Sequence, residues 1–146
     1  MQRKEFIKTC VFACLSVTAV GALLPSCQAT HTVIGSIEKD ALSFPLADFI
    51  DAKKNTLKKY LVVQHENLQY PIVVYNMGEQ QYEAYLMRCP HQGAELQVFG
   101  ERLQCPAHGS EFDVHGKVMN PPADQNLRRC HFVGQDYFLE WSYGSF

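Results

Sequence analysis

Two short stretches constrain this chain more than anything else in it. Cys89-Pro90-His91 and Cys105-Pro106-Ala107-His108 supply two thiols and two imidazoles within about twenty residues. Gly93 follows His91 by two positions, and Gly109 directly follows His108. Four sulfur and nitrogen donors at this spacing suit a metal site: the set is good for an iron–sulfur centre and also meets the needs of tetrahedral zinc. A zinc finger places its histidines on a helix. Here glycine and proline crowd both donor pairs, which places them on loops. Pro90 and Pro106 fix φ and carry no N–H, so neighbouring amides are left to point at the sulfurs, and the glycines suit tight turns with positive φ.

The C-x-H … C-x-x-H pattern resembles the Rieske iron–sulfur family. The run Cys105-Pro106-Ala107-His108-Gly109-Ser110-Glu111-Phe112-Asp113 is similar to the second cluster loop of that family. Gly116-Lys117-Val118 followed by Asn120-Pro121-Pro122-Ala123 resembles the proline-containing stretch that covers the cluster from a third side. The likeness spans roughly residues 85 to 130. It implies one [2Fe–2S] cluster per chain, with Cys89 and Cys105 on one iron and His91 and His108 on the other, nearer the surface. It also implies that Gly93, Gly109, Ser110 and Pro121 surround the cluster. The alternative reading is a structural zinc-binding interaction module with no redox role.

The donor mix has an electrostatic consequence. Two ferric ions and two sulfides carry two positive charges, which two thiolates cancel and two neutral imidazoles leave unchanged. An electron enters a neutral centre more easily than the doubly negative centre of a four-thiolate site. Mixed-ligand clusters accordingly lie at roughly −150 to +300 mV. Two departures from the family pattern matter. Respiratory members tie the two loops with a disulfide whose positions are held here by Ala94 and Ala107. They also bond a serine and a tyrosine hydroxyl to cluster sulfurs, and here Ser110 is present but Phe112 stands at the tyrosine position. The expected potential is below that of the respiratory group and above that of oxygenase ferredoxins.

Arg3, Lys4 and Lys8 precede an uncharged run from Thr9 to Pro25, and Leu24-Pro25-Ser26-Cys27 resembles a lipoprotein-processing site with Cys27 as the lipid acceptor. Gln2 to Lys8 also resembles a twin-arginine export signal with lysine for the second arginine, a route that carries folded, cofactor-loaded proteins across a membrane. Residues 1–27 are therefore expected to be an export signal and lipoprotein leader or, failing cleavage, a membrane anchor. Residues 28–146 form one domain, tethered to the membrane on its periplasmic or extracytoplasmic side. The leader holds three of the thirteen Lys and Arg and one of the fifteen Asp and Glu, so the domain keeps ten against fourteen. No basic stripe suggests nucleic acid. Lys53, Lys54, Lys58 and Lys59 form a cationic group suited to anionic lipid, to an acidic partner or simply to solvent. Cys130, the remaining cysteine of the domain, reads as a small buried apolar residue in a strand.

Strand signals dominate after residue 30: Leu61 to Val63, Ile72 to Tyr75, Tyr82 to Met87, Leu96 to Phe99, Arg102 to Gln104, Leu127 to Val133 and Asp136 to Ser142. Asn76-Met77-Gly78 and Gly100 read as hairpin turns. Ala47 to Lys59 is the only segment with helical character. The expected fold is all-β, a Rieske-like stack of small antiparallel sheets with a cluster-binding subdomain at about residues 86–123. Such a chain supplies no nucleophile or general base. The resemblance implies that it carries single electrons for a redox partner protein, or within a quinol-oxidising or molybdenum oxidoreductase complex, and the expectation is that it is not a catalyst on its own.

Overall fold

Two apolar runs, Leu61-Val62-Val63 and Ile72-Val73-Val74-Tyr75, pair at the centre of the molecule. Side chains alternate between the faces of a strand, so a run that is apolar at every position buries both faces. Val62, Val73 and Tyr75 enter one core, and Leu61, Val63, Ile72 and Val74 enter another. The computed structural model describes residues 30–38, 41–132 and 141–142. Its strands are β1 (Thr32–Ile34), β2 (Ser36–Glu38), β3 (Ala41–Ser43), β4 (Ile50–Asp51), β5 (Thr56–Leu57), β6 (Tyr60–Gln64), β7 (Ile72–Gly78) and β8 (Gln81–Leu86), followed by β9 (Gln97–Phe99), β10 (Arg102–Gln104), β11 (Glu111–Phe112), β12 (Val118–Asn120), β13 (Arg129–Cys130) and β14 (Trp141–Ser142).

A sheet ordered β1-β6-β7-β8-β13 forms the base. It is antiparallel except at its edge, where β1 runs parallel to β6. A second sheet, ordered β12-β11-β10-β9, is inserted in the chain between β8 and β13, which pair with each other. The first core lies between these two sheets and contains Leu96, Leu103, Phe112, Cys89 and Cys105. The second core covers the other face of the base under Leu42, Phe44 and Phe49. Small sheets β14-β3-β2 and β4-β5 complete the all-β architecture.

Strand direction separates the two ends of the molecule. At one end Ile72 pairs with Leu86, the Met87 amide donates to the Pro71 carbonyl at 2.9 Å, and β8 runs on into the first Cys–His stretch. The open end of the β9–β10 hairpin, where Gln97 pairs with Gln104, leads into the second. At the opposite end stand the closed turn at Gly100 and Glu101, whose carboxylate pairs with Lys59, and the start of β6.

Two local expectations are corrected. Ala47 to Lys59 is not a helix: Leu46–Phe49 makes one 3-10 turn, and the rest is the β4–β5 hairpin. Buried Phe49 anchors the turn to the second core. The Asp51 carboxylate then captures the amides of Lys53 and Lys54, and Asn55 takes φ +50°, so the backbone leaves the helical path. The β7–β8 turn falls at Glu79-Gln80, both at positive φ, one step beyond Asn76-Met77-Gly78. Asn76 instead accepts the Gly78 amide, at a register shift within the ladder. Of the closing strands, the structure describes Arg129–Cys130 and Trp141–Ser142. The leader at 1–27, including Cys27, and most of Asp136 to Ser142 lie outside the described residues.

Candidate metal centre

The two Cys–His loops share one backbone design. Each cysteine carbonyl accepts the amide of the glycine four residues on, Gly93 to Cys89 at 2.8 Å and Gly109 to Cys105 at 2.9 Å. Each cysteine amide donates to the carbonyl after that glycine, Cys89 to Ala94 and Cys105 to Ser110, both at 2.8 Å. Closing the turn puts Gly93 at φ +78° and Gly109 at φ +80°, the region open to glycine at no steric cost. The C-x-x-x-G spacing common to both loops therefore sets the turn. The imidazole rides on it, at the second position after cysteine in the first loop and the third in the second.

The loops sort their donors by burial. Cys89 and Cys105 are 1% and 2% exposed and belong to the first core, whereas His91 and His108 are exposed. The imidazole rings meet edge to face, with centroids 5.0 Å apart and planes at 88°. The Cys105 thiol is within hydrogen-bonding reach of the Cys89 sulfur, at which the amides of His91 and Gln92 also point. Burial lifts the Cys89 thiol above its ordinary value, and the neighbouring Cys105 adds to the rise while the two amides oppose it. Among the described residues, no three His, Cys, Asp or Glu side chains gather about one point as a single bound ion requires. The two sulfurs thus lie together in the core, and the two imidazoles lie together at the surface.

With Ala94 and Ala107 in place of a disulfide, side chains fasten the loops. The Tyr70 hydroxyl donates to the Gly93 carbonyl at 2.7 Å, and the Arg88 guanidinium sits 5.8 Å from the centre of the Tyr70 ring. Asn120 Nδ2 donates to the Gly109 carbonyl at 3.1 Å. Ser110, fully buried, accepts the Ala123 amide on Oγ at 3.0 Å, which leaves its own O–H to donate elsewhere. The segment carrying Pro121 is thus bonded to the second loop on both sides of the proline. Phe112 is fully buried in the core that holds both cysteines.

Tyr70, Arg88 and Asn120 were not singled out by the motif. Asn120 lies inside it without an obvious role. Tyr70 precedes Cys89 by nineteen residues, and only the β7–β8 register brings it to the loop. The other assignments are simpler. Cys130 lies in β13, packed in the second core, with its thiol pushed up to about 12 by burial. Three other histidines make local contacts: His31 against the Tyr60 ring, His65 to the Asn67 amide and His115 to Glu83.

An all-β domain that presents paired Cys–His loops at one end defines a class, the small iron–sulfur electron-transfer domains. A family model for the Rieske [2Fe-2S] domain matches residues 48–131, more than half of the chain, and the chain belongs to that family. A Rieske domain implies a [2Fe–2S] cluster and electron transfer. Among solved structures the chain is similar to the cyanobacterial plasma membrane Rieske protein PetC3 from Synechocystis PCC 6803. The two are 27% identical over 66% of this chain and 93% of that one, with a TM-score of 0.50. It is also similar to a chain in the complex of reduced oxygenase and oxidized ferredoxin in carbazole 1,9a-dioxygenase, at 20% identity, 73% and 95% coverage and a TM-score of 0.50. That second likeness concerns the fold alone. No curated protein matches the chain.

Proposed function

We propose that Cys89 and Cys105 hold one iron of a single cluster and His91 and His108 the other, and that the chain relays single electrons between redox proteins through the two imidazoles. When bound, the cluster supplies a one-electron couple. The observation that carries this reading is the sorting of donors: a buried sulfur pair beneath an exposed, edge-to-face imidazole pair at 5.0 Å. The cysteines and the first core keep water from the inner half of the site. The exposed imidazole edges would be where a partner protein makes contact with the site. The amides of His91 and Gln92 stabilise negative charge on the Cys89 sulfur, and the Ser110 hydroxyl, which accepts the Ala123 amide, would have its own O–H to offer a bound cluster.

The chain is proposed to act outside the cytoplasmic membrane. Residues 1–27 would direct export, and Cys27 would carry the lipid that tethers domain 28–146, unless the leader stays as a membrane helix. Its partner is a redox protein, or a quinol-oxidising or molybdenum oxidoreductase complex. Ala94, Ala107 and Phe112 favour a role other than the respiratory quinol-oxidising one.

The test is metal and sulfide analysis of protein made with its assembly machinery intact, with EPR of the dithionite-reduced form. Two irons and two acid-labile sulfides per chain, with a mixed-ligand signal, are expected. Colourless protein with one zinc per chain would overturn the reading. Fractionation of cells making wild type and Cys27→Ser tests the tether: only wild type should remain with membranes after a carbonate wash.

A further inference from the structure

The β4–β5 hairpin differs in character from the rest of the domain. Residues 48–59 hold Lys53, Lys54, Lys58 and Lys59 against Asp48 and Asp51, whereas the domain as a whole has more acids than bases. Ile50 and Leu57 are cross-strand partners, so their side chains share one face, and they are 51% and 65% exposed. The Asp51 carboxylate is occupied by the amides of Lys53 and Lys54 at 3.0 and 3.3 Å. Lys59 pairs with Glu101, and Lys58 Nζ donates to the Asp48 carbonyl at 2.7 Å. Lys53 and Lys54 are exposed and form no ion pair among the described residues. The result is a small exposed apolar pair beside a turn that carries Lys53 and Lys54, on an otherwise acidic domain.

Its position gives this surface meaning. The Lys59 carbonyl accepts the Asn76 amide at the end of the β6–β7 ladder remote from the Cys–His loops. The chain arrives at the same end, where the His31 ring lies 6.0 Å from that of Tyr60. Only residues 28 to 31 separate Cys27 from β1, a span of roughly 17 Å when fully extended. Thr32 is level with Tyr85, and the four steps from Tyr85 to Cys89 place the Cys–His loops roughly 13 Å further along the sheet. β1 therefore starts on the hairpin side of the base sheet and runs toward the Cys–His loops.

We infer that the β4–β5 hairpin docks on an anionic lipid surface, with Ile50 and Leu57 entering the headgroup layer and Lys53 and Lys54 facing lipid phosphates. This rests on the tether in the proposed function. Docking turns the His91/His108 face away from the membrane, so the electron partner approaches from the aqueous side. Charge complementarity favours lipid: a row of lysines near an anionic leaflet gains attraction at every lysine, and the apolar pair suits the wet boundary of a bilayer better than bulk water.

Hydrogen exchange tests this on the full-length, membrane-attached protein. It is placed in nanodiscs of phosphatidylcholine alone, or with about one third phosphatidylglycerol. Amides of residues 50–57 should exchange about tenfold more slowly in the anionic discs, and each lysine-to-glutamine change at Lys53 or Lys54 should reduce that protection about fivefold. Ile50→Ser should reduce it too, while exchange in the two Cys–His loops stays as in wild type. Equal exchange of residues 50–57 in both lipids, with the protein recovered on membranes, would overturn the docking and leave the tether standing. Recovery of wild type in the soluble fraction of cells would overturn both. Protection that appears only on adding an acidic partner protein would assign the hairpin to protein and end the lipid proposal.

Discussion

Replacing His91 by cysteine exchanges a neutral imidazole for a thiolate at the exposed edge of the site, and the structure sets the size of the effect. In the proposed site, one negative charge would be added on the cluster that receives the electron. For unit charges about 4 Å apart near a protein surface, the repulsion is about 4 kcal/mol, and a twofold rise in effective dielectric constant at this exposed position reduces it to about 2. For one electron, 1.4 kcal/mol corresponds to about 59 mV, so the potential should fall by roughly 80 to 170 mV. The difference between mixed-ligand and four-thiolate clusters, which replaces two imidazoles, agrees in sign and scale. An EPR-monitored redox titration of the assembled variant measures the shift. Gln92→Glu is the control: it adds the same formal charge one residue on, on an exposed side chain not bonded to iron, and should move the potential by no more than about 20 mV. An assembled His91→Cys protein within about 20 mV of wild type would refute the charge argument and the assignment of His91 together.

Gly116→Ala should cost about 3 kcal/mol by urea unfolding, because its Cβ would lie 2.5 Å from Tyr85 Cε1 at a backbone φ of +69°. Gly109→Ala, at φ +80° with open space around it, should cost about 1 kcal/mol, and the reverse ranking would contradict the packing described here. Tyr70→Phe removes the bond to the Gly93 carbonyl and should cost about 1 kcal/mol. It should speed iron loss to a chelator in absorbance traces, which an unchanged rate would exclude. Glu83 is raised by burial, but Tyr85 O–H, the His115 ring and Arg129 outweigh this and hold it below the usual 4.5. The unfolded chain thus takes up this proton first. The stabilisation is present above about pH 4.5 and is lost as pH falls through the lower native value. Glu83→Gln should flatten the acid limb of a stability-against-pH curve, and an identical limb would exclude the role.

The parts of this protein that were legible in its sequence are those that close over short distances. A cysteine carbonyl meeting an amide four residues later needs only glycine at that point, so C-x-x-x-G declares both turns. Central strands show themselves because Leu61 to Val63 and Ile72 to Tyr75 are apolar on both faces. The hairpin at Lys53 to Leu57 was not legible: a buried Phe49 and an Asp51 that captures two amides override a weak helical preference. Nor was the parallel docking of β1, three residues long and carrying no pattern of its own. The clamps from Tyr70 and Asn120 depend on strand register across the base and on the return of a loop, distances that no local spacing encodes. The donors and their turns were thus set by sequence alone. Which donors lie dry and which face water was decided only when two sheets closed over the sulfurs, because burial belongs to whatever distant chain arrives to pack against a residue.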